Sequence, residues 1–119
     1  MKRFAISVLL AACTGSPTNA TCPTENAPTY ASFGQPFLAT YCTGCHSATA
    51  ADRHGAPASE NYDTEDDVRA HALAIDEVAA KGPDATNTAM PRLDGTVAHA
   101  PSDSEREQLG AFLACMAAE

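Results

Sequence analysis

Tryptophan is absent from the 119 residues, and aromatic side chains make up only 6% of them. Apolar residues reach 45%, but much of that is alanine. A core of small side chains buries little area per residue, so a chain of one-domain length needs a staple such as a disulfide, a metal or a cofactor. Basic residues are scarce as well: 7 Lys and Arg stand against 15 Asp and Glu, a net charge of −8. Two of those seven, Lys2 and Arg3, lie at the extreme N-terminus, and without them the balance is 5 against 15, a net −10. Such a surface repels nucleic acid and anionic headgroups and would steer toward a partner protein with a basic docking surface; the alternative is an acidic surface that only keeps the protein in solution. No strand pattern of any length appears, so the expected class is all-α.

The segment "MKRFAISVLLAAC" has a basic start, an apolar run from Phe4 to Ala12 and then Cys13. The run is about nine residues, too short to span a bilayer and of the length of a signal-peptide core. "LAAC" resembles the lipobox of bacterial lipoproteins. The resemblance implies that residues 1–12 are removed and that Cys13 becomes a lipidated N-terminus, anchoring the protein at a membrane outside the cytoplasm. Thr14 is not Asp, so the inner-membrane retention signal known in some bacteria is lacking, which points to the outer membrane. A rival site ends at Ala20 in "TNA" and would release a soluble periplasmic protein. Residues 13–29, rich in Thr, Pro, Ser and Asn, read as a flexible tether ahead of a domain at 30–119.

The most specific motif is "YCTGCHS", Tyr41 to Ser47. Thioredoxin-like proteins place a CxxC pair after a strand, but "FGQPFLATY" precedes this one, with no Val/Ile-rich run. Structural zinc needs a second tight pair of Cys or His, and none exists. In c-type cytochromes two thiols add to the haem vinyl groups and the adjacent histidine ligates the iron, which accounts for Cys42, Cys45 and His46 together.

Over roughly Cys22 to Met116 the chain resembles a small monohaem cytochrome c of the class I type, as found in bacterial lipoproteins. The resemblance implies a fold of about three helices around one covalent haem c and a function in single-electron transfer to redox partner proteins, not catalysis. The alternative is a haem enzyme or gas sensor with an iron position that opens. The sixth-ligand candidates are Met90, Met116, His54, His71 and His99. Met90, followed by Pro91 in the loop Gly82 to Gly95, matches the family's distal methionine, so His46 and Met90 would bind the iron. Met116 falls with Leu109, Phe112 and Leu113 in one helix stripe, as core. His71 sits on a helical face, and His54 and His99 flank loops. In the family a proline carbonyl accepts from the imidazole Nδ1–H, and Pro57 is the matching position. Arg53 and Tyr62 are candidates for haem propionate contacts or for solvated loop roles.

Helices are expected from about Ser32 or Pro36 to Tyr41, from Thr64 to Ala80 and from Asp103 to Ala117. Asp63 or Thr64 can cap the second, and "SDSE" at 102–105 has capping-box spacing for the third. In the resembling fold the last helix crosses the one before CxxCH, bringing Phe112 and Leu113 to Phe33 and Phe37. Cys22 and Cys115 flank that crossing, and an oxidising compartment would bridge them. Two buried free thiols are the alternative.

Overall fold

The computed structural model describes residues 16–119. Cys13 and the peptide 1–12 lie outside them. The described chain is helical, with no strand beyond an isolated Lys81–Thr86 bridge. No helix among the described residues is long and apolar enough to cross a membrane.

The first helical segment begins earlier than the sequence pattern suggests, at Tyr30. Thr29 and Ser32 cap it reciprocally: the Ser32 amide donates to Thr29 Oγ1 at 3.0 Å, and the Thr29 amide donates to Ser32 Oγ at 2.9 Å. Tyr30–Gly34 is a π-helical turn that passes into α1, Gln35–Tyr41. Pro36 has no N–H to donate, and it is tolerated because it falls in the first turn of α1.

The expected second helix is two. α2 spans Glu65–Ala70 and α3 spans Ala72–Ala79, broken at His71 with φ −114° and ψ 14°. The His71 ring bonds the Asp67 carbonyl through Nδ1 at 2.8 Å and packs edge-on against Tyr62. A side chain bonded back to its own helix competes with regular winding. Thr64 caps α2, exchanging two 3.1 Å bonds with Asp67. Asp63 instead accepts from the Ala48 amide at 2.9 Å.

α4, Asp103–Ala118, starts at the Ser102–Glu105 capping box and buries Leu109, Phe112, Leu113 and Met116. It packs tightly on the first segment at Gly34, where a β-carbon would lie 2.5 Å from Phe112 Cζ. Phe33 lies 6.1 Å, centroid to centroid, from Phe112, so the aromatic crossing is present. Cys22 and Cys115 form a disulfide across it, with α-carbons 4.6 Å apart.

Residues 16–29 are not a free tether. Thr18 is fully buried and makes two bonds to Asp76 of α3, from its amide at 2.8 Å and its hydroxyl at 2.9 Å. Asp76 is itself only 1% exposed. Gly82 admits this arm, since a β-carbon there would lie 2.5 Å from the Thr18 carbonyl oxygen. The composition of the arm is that of a loop, but its anchors are buried.

Candidate functional site

The CxxCH run is wound by the end of α1. The Cys42 amide still donates to the Leu38 carbonyl at 2.8 Å, and the Cys42 carbonyl accepts from the His46 amide at 2.9 Å. This continued turn carries Cys42, Cys45 and His46 onto the wall of one cleft of about 250 Å³. Ile75, Val78 and Ala79 of α3 and Met90 of the following loop also line it.

Of the five sixth-ligand candidates, Met90 and His54 line the cleft, whereas Met116, His71 and His99 do not. Met116 is buried in the core with Phe112 and Leu113. His54 sits at the rim within 3.6 Å of Asp52 and 3.8 Å of Asp94, while Met90 packs against the apolar core.

His46 is buried, and its Nδ1 lies 2.9 Å from the Glu60 carbonyl oxygen. Glu60, not Pro57, therefore supplies the carbonyl facing the imidazole. The Pro57 carbonyl accepts instead from the Glu60 amide at 3.0 Å and from Arg53 Nη2 at 2.6 Å. Nε2 of His46 has no hydrogen-bond partner among the described residues. With Nδ1 donating to Glu60, Nε2 carries the free lone pair, the tautomer a metal-binding imidazole requires. Tyr62 stacks on the His46 ring at 4.6 Å, and burial pushes its hydroxyl up to about 12.

Cys42 and Cys45 are free thiols. Burial, with the neighbouring Cys45 second, pushes the Cys42 thiol up to about 12. A thioredoxin-like nucleophile needs the opposite shift, toward the thiolate. Cys42 therefore lacks the thiolate character on which thiol exchange depends. No group of three or more His, Cys, Asp or Glu that could hold a bare metal ion occurs among the described residues. The chemistry of the donor set, two thiols, an imidazole and a thioether lining one mostly apolar cleft, fits a haem.

Arg53 is drawn into the loop: it bonds the carbonyls of Ser47, Ala56, Pro57 and Glu60 and the Asn61 side chain. Glu60 and Arg106 escaped the sequence reading altogether. Arg106 falls in register with the apolar stripe of Leu109, Gly110 and Leu113. A charged residue on an apolar face was the available signal. Asp76, beside Ile75 on the buried face of α3, carried the same one.

No protein-family model, curated protein or solved structure matches this chain.

Proposed function

We propose that this chain is an exported c-type cytochrome, of cytochrome c-like fold, that carries single electrons between partner proteins. The observation that carries this reading is the convergence of Cys42, Cys45, His46 and Met90 on one cleft. Haem, when bound, supplies a one-electron ferrous–ferric couple. Cys42 and Cys45 would hold it as thioethers. His46 would ligate through Nε2, oriented by the Glu60 carbonyl and the Tyr62 ring. Met90 would offer its thioether as a second iron ligand, and His/Met ligation favours a higher potential than a second histidine. Ile75, Val78 and Ala79 would give the group an apolar wall.

The buried Thr18–Asp76 pair supports processing at Cys13 over processing after Ala20. A chain beginning at Thr21 would lose Thr18 and leave the Asp76 carboxyl oxygens without their two donors. A lipidated Cys13 would then hold the domain close to the membrane, because five residues of extended chain reach roughly 17 Å at most. The acidic balance of 15 Asp and Glu against few basic residues suits a redox partner with a basic docking face.

The test is expression with a secretion route and haem-maturation machinery. The expected product is coloured, keeps its pigment in acidified organic solvent and binds carbon monoxide poorly when ferrous at neutral pH. Colourless protein or extractable pigment refutes the cytochrome reading. Ready carbon monoxide binding would replace the carrier with an enzyme or sensor.

A further inference from the structure

Arg106 is 3% exposed, yet its guanidinium pairs with no carboxylate among the described residues. A buried cation without a counter-ion is costly, and an apolar residue here would simply extend the stripe of α4. What the side chain does is donate through Nη1 to backbone carbonyls: Ala79 at 2.8 Å, Asn87 at 3.0 Å and Met90 at 2.8 Å. These come from the end of α3 and from two points of the loop that follows it.

Met90 lies in a stretch with neither helix nor strand. Both of its backbone polar groups are nevertheless fixed to the body of the protein. The amide donates to the Val78 carbonyl at 2.9 Å, and the carbonyl accepts from Arg106. Asn87 adds a third tie, from its side-chain amide to the Asp76 carbonyl at 2.9 Å. The loop thus hangs from α3 and α4 on half-buried hydrogen bonds, with Arg106 joining all three segments.

We propose that Arg106 is a positioning residue that clamps the Met90 backbone against α3 and α4, keeping the thioether at the cleft and shutting out competing ligands. This rests on the reading of Met90 as an iron ligand. An incoming ligand can bind only when the loop opens, so its apparent affinity scales with the open population. Removing the Nη1 bonds enlarges that population.

The experiment is an imidazole titration of the ferric, haem-loaded full chain, followed by loss of the sulfur-to-iron charge-transfer band. Arg106→Gln is expected to bind imidazole at least about tenfold more tightly than the parent, a loss of about 1.4 kcal/mol of closure. Arg106→Lys should fall between them, because an ammonium keeps the charge and three N–H donors but ends a shorter side chain. Lys81→Met, which removes only ion pairs to Asp103 and Glu107, should match the parent. A parent-like affinity in Arg106→Gln overturns the proposal. If that variant does not fold, amide exchange in the parent decides: the Met90 N–H should exchange as slowly as that of Phe112, and exchange as fast as Leu93 overturns the clamp. Absence of the band from the parent, or its survival in Met90→Ala, would instead refute the Met90 assignment, while the exchange measurement still reports on the clamp.

Discussion

Each side of the cleft is organised by one arginine, and the two differ in where their acceptors come from. Arg53 gathers carbonyls from Ser47 to Glu60, all within one loop of its own neighbourhood. It is half-buried, and through Glu60 it supports the carbonyl that faces His46. Arg106 is buried and ties together α3, the Met90 loop and α4. The imidazole side is therefore built almost entirely from contiguous chain. The thioether side exists only once distant elements have packed.

That contrast predicts unequal costs. Arg106→Leu leaves the buried Ala79 carbonyl and the half-buried Asn87 and Met90 carbonyls without their donor and should lower the unfolding free energy by about 3–5 kcal/mol. Arg53→Leu acts on bonds that are half-buried or exposed, none of them fully buried, and should cost about 1 kcal/mol. Urea denaturation of both variants checks the order, and equal losses would remove the distinction between the two sides.

The N-terminal arm belongs to the Met90 side, because it buttresses α3 through Asp76. Thr18→Val keeps the shape and the amide bond but removes the hydroxyl donor to Asp76. A loss of about 1–3 kcal/mol is expected, with the environment of Met90 perturbed before that of His46. NMR shifts at the two residues would show which moves.

The smallest effect concerns acid. Glu105 is held below the usual carboxylate range, first by the Ser102 backbone and then by the Tyr41 hydroxyl and Ser102 side chain, against some opposing burial. Its folded pKa is depressed, so its contribution is present above the ordinary glutamate range and is lost as pH falls through the folded value. Tyr41→Phe should weaken this dependence slightly, narrowing the stability gap between neutral solution and solution below the ordinary glutamate range. An unchanged gap would mean that the Tyr41–Glu105 bond, 2.9 Å at its shorter arm, contributes nothing there.

Much of the helical frame was legible in the residues. Ser102 with Glu105, and Thr64 at the start of α2, announce themselves because a cap reads groups only three residues away. The break at His71 was not legible, since it depends on a bond back to Asp67 and on the ring of Tyr62 beyond the helix. The first helix began earlier than expected because Thr29 and Ser32, plain loop formers by composition, cap each other. The arm at 16–20 read as a tether for a similar reason: nothing in its composition says that Thr18 meets Asp76, 58 positions away.

By itself the sequence determined the groups bound by chain adjacency: two thiols and an imidazole within one turn, a thioether joined to a proline, and the caps that start the helices. Tertiary structure alone decided which carbonyl faces His46, which arginine holds Met90 and which part of the N-terminal arm is buried. The physical reason is reach. A turn or a cap is fixed by bonded neighbours, whereas a buried hydrogen bond between loops is fixed only by how closely packed elements bring them together.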